Sequence, residues 1–309
     1  MTDNAIDVQG LVKRFGSRAV VDGVSLAIPK GQVWGFLGPN GSGKTTTISM
    51  MCGLLTPSAG SGQCLGFDIL RQAKQIKAQT GYMTQKFSFW EDLTIAENLR
   101  FVARMYHLCD VKAAVINALQ ASGLTDRQHQ LAAALSGGWK QRLALAAVTM
   151  HQPRLLLLDE PTAGVDPQAR REFWHHIQNL AQAGVTVLVS THYMDEAQRC
   201  DNIVYLANSK LITQGTVAAV IKQANLVCYR LTGEHIRQYS ELLECSGDVV
   251  SVAYYGAALF VTGHSKQKLE ALLAEAAFNS LTVEPVSPEL EDVFIALTQK
   301  AGADLRRYQ

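Results

Sequence analysis

Short apolar, β-branched stretches at 6–12 and 20–28 are bounded by Gly, Pro and charge, and they predict strands of a small antiparallel edge. Gln32–Leu37 predicts another strand, which runs into a glycine-rich loop followed by helical character over Thr45–Leu55. Strand, loop and helix in that order open an α/β unit. From about Glu91 to Ala147 the pattern is mostly helical, with turn signals near Gly123 and Gly137. Leu155–Leu158 is continuously apolar, as a strand buried on both faces of a parallel sheet must be. Val185–Ser190 repeats that character after a helix over Gln168–Ala183 that Gly184 stops. Ile203–Leu206 and Lys210–Gln214 predict a closing hairpin.

After about residue 224 the texture changes. The pattern predicts strand 226–231, helix 234–244, strand 248–254, a turn at Tyr255-Gly256, strand 258–262, helix 265–276, strand 281–285 and helix 289–298. The βαββαβ portion is the split, ferredoxin-like order. The expected organisation is therefore a first domain over 1–223, with a helical subdomain at about 86–150, and a small C-terminal α+β domain over 224–309. No internal repeat or low-complexity tract interrupts it.

Hydrophobic residues make up 48% and charged residues 18%, so a packed globular chain is expected rather than disorder. The net charge of +1, without a long basic run, gives no support to nucleic acid as a primary partner. No apolar run approaches the roughly 20 residues a membrane-crossing helix needs, so a pore would have to come from another chain. The N-terminus lacks a basic segment followed by an apolar one, and no signal peptide is expected. The six cysteines form neither a C-x-x-C pair nor a zinc-spaced cluster, and reduced, mostly buried thiols are expected.

The chemistry begins at Gly38-Pro39-Asn40-Gly41-Ser42-Gly43-Lys44-Thr45, which fits G-x-x-x-x-G-K-[ST]. Its glycines let the backbone close around phosphates, successive N–H groups point at phosphate oxygens, and the following helix presents its positive end. Lys44 supplies a point charge, and the Thr45 hydroxyl can ligate Mg²⁺. Leu155–Leu158 then ends in Asp159 and Glu160. Asp159 suits a Mg²⁺ ligand, and Glu160, one residue on, suits a general base for an attacking water. Two solvated acids at the end of a strand are the plain alternative, which weakens beside the phosphate loop.

Leu135-Ser136-Gly137-Gly138-Trp139-Lys140-Gln141-Arg142 resembles the signature motif of ATP-binding cassette (ABC) proteins, with Trp139 where a glutamine is usual. Further residues fall in the family's order over roughly 5–220. Phe15 resembles the aromatic that stacks on adenine, and Gln85 the glutamine that senses Mg²⁺ and water. Asp166 resembles the loop that crosses the dimer interface, and His192 the histidine that contacts the γ-phosphate. The resemblance implies the phosphate-loop NTPase fold of ABC ATPases, with ATP and Mg²⁺ as cofactors. It implies nucleotide contacts from Phe15, Gly38, Pro39, Asn40, Gly41, Ser42, Gly43, Lys44, Thr45, Thr46, Ser136, Gly137, Gly138 and Asp166. It implies catalytic roles for Glu160, His192 and Gln85, and metal contacts from Thr45, Gln85 and Asp159. It further implies a second ABC subunit paired head to tail, a transmembrane permease partner, and a peripheral place on the cytoplasmic face of the inner membrane. The tail Ser287–Phe294 resembles the drug-exporter branch. An importer subunit, a soluble cassette ATPase acting on ribosomes or nucleic acid, and a regulator without turnover remain alternatives. The intact Glu160 disfavours the last of these.

Overall fold

The computed structural model describes residues 3–275 and 278–306. It divides into two compact units, Met1–Ile212 and Thr213–Gln309. The boundary expected from sequence, 223/224, falls within the helix Val217–Ala224, eleven residues beyond the division between the two units.

A six-stranded sheet has the order Lys210–Gly215, Asn202–Ala207, Val33–Leu37, Thr186–Ser190, Leu155–Asp159, Thr80–Met83, and all but the last three residues of its edge strand Lys210–Gly215 lie in the first unit. Val33–Leu37 pairs in parallel with strands on both sides, and Leu155–Asp159 does the same. Every residue of Val33–Leu37, Leu155–Asp159 and Thr186–Ser190 is buried, which explains why these strands read as unbroken apolar runs. Because the strands run the same way, their carboxyl ends share one edge, where ligands bind in open α/β sheets.

A second, four-stranded antiparallel sheet is built on Asn4–Phe15 and Arg18–Pro29, longer than the stretches expected from sequence. Its other strands, Ala59–Cys64 and Phe67–Asp68, were not foreseen, because Ala-Gly-Ser-Gly-Gln-Cys carries no apolar alternation. Also unforeseen were the helix Ala73–Ala78 and the strand Thr80–Met83. The helix after the phosphate loop spans Lys44–Met51, shorter than expected: Cys52 caps it and Gly53 follows at φ +66°.

The helical stretch resolves into Ile95–Met105, Val111–Ala121 and Gly137–Thr149 around their own apolar cluster. Thr94 starts the first of these with a capping box to Glu97. In the second unit a four-stranded antiparallel sheet has the order Ser251–Tyr255, Ala258–Gly263, Val227–Thr232, Thr282–Val286. Numbered along the chain this is 2-3-1-4, the arrangement a βαββαβ split unit produces. The helix expected over 234–244 forms as a 3₁₀ turn, Ile236–Tyr239, and a short helix, Ser240–Glu244. Cys52, Cys64, Cys200 and Cys228 are buried, whereas Cys109 and Cys245 are exposed. Among the described residues, no helix is long and apolar enough to cross a membrane.

Candidate nucleotide site

Four parallel strands deliver the site. Val33–Leu37 leads into residues 38–45, Leu155–Asp159 into Glu160, Thr186–Ser190 into His192, and Thr80–Met83 into Gln85. Register fixes their levels, since Asp159 lies opposite Ser190, and Met83 opposite Leu158.

The loop between strand and helix is confined. Gly38 has φ +144°, and a Cβ there would run into the Leu206 carbonyl oxygen. Gly43 caps the helix at φ +97°, and a Cβ would lie 2.5 Å from the Val20 carbonyl oxygen. Both positions therefore require glycine. Lys44 is 6% exposed, and its Nζ donates to the carbonyls of Gly38 (2.8 Å) and Pro39 (3.1 Å). Burial pulls the Lys44 ammonium below its usual pKa, and the charges of Glu160 and Asp159 oppose that shift. The buried Ser42 hydroxyl has no hydrogen-bond partner, so a donor stands ready inside the cradle. Pro39, Asn40 and Gly41 are exposed, and Thr46 is half-buried in the first helical turn.

Thr45 Oγ1 donates to both oxygens of Asp159, at 3.2 and 3.1 Å, and the Ser190 hydroxyl also donates to Asp159. Hydroxyl and carboxylate oxygens form a hard donor set that fits Mg²⁺, which normally keeps several waters beside one or two carboxylates. Glu160 sits at φ +46°, a left-handed conformation that costs a non-glycine residue roughly 1–2 kcal/mol. Its N–H is held by the Ser190 carbonyl (3.0 Å) and hydroxyl (3.1 Å). Glu160 Oε2 accepts from Gln85 Nε2 at 2.9 Å, and Oε1 lies 3.5 Å from His192 Nδ1. Gln85, Glu160 and His192, far apart in sequence, thus form one cluster.

Phe15 is 53% exposed at the end of its strand, with Lys13 Nζ 5.3 Å from its ring centroid. Ser136, Gly138 and Asp166 line a different cavity of about 230 Å³, together with Trp139, Arg142, Gln168, Ala169 and Glu172. No phosphate-loop residue lines it. Asp166 caps the helix Pro167–Gln182, accepting from the N–H groups of Gln168 (3.1 Å) and Ala169 (3.0 Å). Ser136 occupies the cap position before Gly137–Thr149, but its side chain makes no capping bond. Gly137 is exposed beside it.

Sequence reading missed the buried polar residues behind the cluster. Ser190 ties Asp159 to the Glu160 backbone. Glu196, 1% exposed, accepts from the Thr162 hydroxyl and lies 4.0 Å from Arg170 Nε. Arg170 in turn lies over the Tyr193 ring at 4.6 Å. Only the burial of these polar groups marks them, and that has no signature in one sequence.

A parallel sheet with a phosphate cradle, a hydroxyl–carboxylate pair and a held glutamate at its carboxyl edge defines a phosphate-loop nucleotide hydrolase. Comparison with known proteins narrows the class. Residues 21–163 match the ABC transporter family model. The chain is 32% identical over 317 residues to the linearmycin resistance ATP-binding protein LnrL of Bacillus subtilis (strain 168), covering 97% of this chain and 100% of that relative. It is 45% identical over 216 residues to the probable multidrug ABC transporter ATP-binding protein YbhF of Escherichia coli (strain K12), covering 69% of this chain; it spans only 37% of that relative's length. Among solved structures it is similar to an ATP-binding subunit of an ABC transporter, with 27% identity, a TM-score of 0.64, and 71% and 92% of the two chains covered. It is also similar to cbiO1 from Clostridium perfringens, part of the ABC transporter complex cbiONQ, with 26% identity, a TM-score of 0.64, and 78% and 99% covered. The chain belongs to the ATP-binding proteins of the ABC transporter family, and its fold is that of the ABC ATPases.

Proposed function

We propose that this chain binds and hydrolyses ATP as the motor subunit of an exporter, working with a second cassette and a separate membrane permease. The observation that carries the reading is the separation of two half-sites. Phosphate loop, Asp159 and the Glu160 cluster occupy one sheet edge, while Ser136 and Gly138 line another cavity without any phosphate-loop residue. Donors for a triphosphate on two separate surfaces are satisfied together when two chains pair head to tail. The export direction is supported by relatives named for multidrug transport, linearmycin resistance and Nod factor export.

In this mechanism the backbone of 38–43 and Lys44 bind the phosphates, Phe15 stacks on the base, and Thr45 and Asp159 would hold Mg²⁺. Bound Mg²⁺ neutralises charge on the phosphate oxygens. Glu160 takes the proton of the attacking water, with Gln85 and His192 fixing its carboxylate. Thr46 and Gly137 complete the nucleotide contacts of the two half-sites, and Asp166 lies at the pairing surface. The test is sedimentation of the Glu160→Gln chain with and without ATP. A nucleotide-dependent dimer is expected; a monomer at saturating ATP, also in the presence of any co-purifying cassette subunit, would refute the paired site.

Coupling to a permease is supported by a groove of about 420 Å³ lined by Leu54, Tyr82, Phe89, Trp90, Phe101 and Met105 among others. Phe87 and Phe89 pack against the helical cluster. Trp90 instead is 45% exposed, and its ring centroid lies 4.2 Å from that of Phe101, itself 38% exposed. Met105 is 64% exposed. An apolar rim of this kind suits a helix laid into a groove. Trp90→Ala and Met105→Ala are expected to leave ATP hydrolysis by the isolated chain near wild type. Each should weaken recruitment to permease-containing membranes by up to about 30-fold, the effect of a hot spot worth ~2 kcal/mol. Full recruitment and transport by both folded variants would place the docking surface elsewhere.

A further inference from the structure

Trp139 stands where the family pattern has glutamine, and the structure places two guanidinium groups over its ring, a contact that needs an aromatic face. Its half-buried ring packs against the helical cluster. Two guanidinium groups lie over it: Arg127, from the turn Thr125–Arg127, at 4.5 Å, and Arg142, one helical turn further along, at 4.8 Å. Arg142 also forms an ion pair with Glu172 on the helix Pro167–Gln182. Gln168 Nε2 donates to Glu172 Oε1 at 3.2 Å, which ties Glu172 back to the turn that Asp166 caps. The two helix starts touch, since a Cβ on Gly138 would lie 2.8 Å from Ala169 Cβ.

An ion pair between side chains 29% and 43% exposed contributes little by itself, because ordering two long side chains offsets most of the attraction. Trp139 changes that balance. Cation–π contact, strongest with tryptophan, holds the Arg142 guanidinium in place before Glu172 is engaged. A glutamine amide has no aromatic ring and so offers neither guanidinium this cation–π contact.

We propose that Trp139 is a positioning residue that locks the signature helix to the Asp166 turn through Arg142 and Glu172. It thereby sets the face this chain offers to nucleotide held on a second cassette. This rests on the paired-chain reading above, and the experiment separates the two. In the full-length Glu160→Gln background, Trp139→Gln and Trp139→Phe are compared by hydrogen exchange of the ATP-free chain and by ATP-driven dimerisation. Trp139→Gln should speed exchange at 166–172 as well as at 136–142, and weaken dimerisation about tenfold, equivalent to 1.4 kcal/mol. Nucleotide affinity of the monomer should stay unchanged, and Trp139→Phe should restore most of both effects. A merely structural tryptophan would loosen only its own segment. Unchanged exchange at 166–172 in Trp139→Gln overturns the proposal. If Trp139→Gln fails to fold, Glu172→Gln, which cuts the same relay on an exposed side chain, decides by the same two measurements. If the Glu160→Gln parent itself stays monomeric, the paired-chain reading fails, and exchange at 166–172 still decides the relay.

Discussion

Glu160→Gln is expected to keep ATP bound while lowering turnover about 10²–10⁴-fold, the usual loss when a general base is removed. The substitution is nearly isosteric, so Gln85 can still donate to the side-chain oxygen it now meets at 2.9 Å. Lys44 bonds the Gly38 carbonyl and Thr45 bonds Asp159, neither of them the Glu160 side chain, so the proposed phosphate and Mg²⁺ contacts are left in place. What disappears is proton-accepting capacity at the position His192 and Gln85 hold. Single-turnover phosphate release, read beside nucleotide affinity, separates these effects. Gln85→Ala and His192→Ala should cost less than Glu160→Gln, because each removes one restraint on a base that remains present. Normal hydrolysis by Glu160→Gln would remove Glu160 from the chemistry altogether.

The legible parts of the sequence were those in which physics acts locally. Leu155–Leu158 and Val185–Ser190 read as buried parallel strands because both faces are covered, and Asp159 and Glu160 then had to emerge at the ligand edge. The phosphate loop was legible because tight backbone turns at Gly38 and Gly43 demand glycine. The C-terminal order was legible because each predicted strand carries enough apolar residues to mark it. The strand Ala59–Cys64 was not, since small and polar residues suffice where pairing with Asn4–Phe15 supplies the stability. Trp139 was visible as a departure from the family pattern, but its meaning lay in Arg127 and Arg142, which only folding brings to its ring. Ser190, Thr162 and Glu196 were invisible for a related reason. Their partners lie about thirty residues away in sequence and follow no period.

The buried pair of Thr162 and Glu196 leads to the second large effect. Glu196 is 1% exposed, and one of its oxygens has no hydrogen-bond partner, so the side chain relies on Thr162 and on Arg170 Nε at 4.0 Å. Thr162 lies two residues beyond Glu160, and Glu196 four beyond His192. The pair therefore ties together the two segments that carry Glu160 and His192. Glu196→Leu removes the buried acceptor of the Thr162 hydroxyl and the Arg170 contact at 4.0 Å, and leaving a buried polar group unpaired typically costs about 1–3 kcal/mol. The lower end is expected here, because Arg170 keeps Asp195 at 3.3 Å, the Tyr193 ring at 4.6 Å and some contact with water. Turnover should fall with stability, since the segment bearing His192 loses its anchor. Thermal unfolding and steady-state hydrolysis at a temperature where the variant stays folded measure the two effects. Glu196→Gln keeps the acceptor for Thr162 and should lose less of both. A double-mutant cycle of Thr162→Val with Glu196→Leu should give a coupling of about 0.5–3 kcal/mol, as expected for residues sharing a buried bond. Additive losses would show that the two segments are held independently, and wild-type turnover in folded Glu196→Leu would show that His192 needs no such anchor.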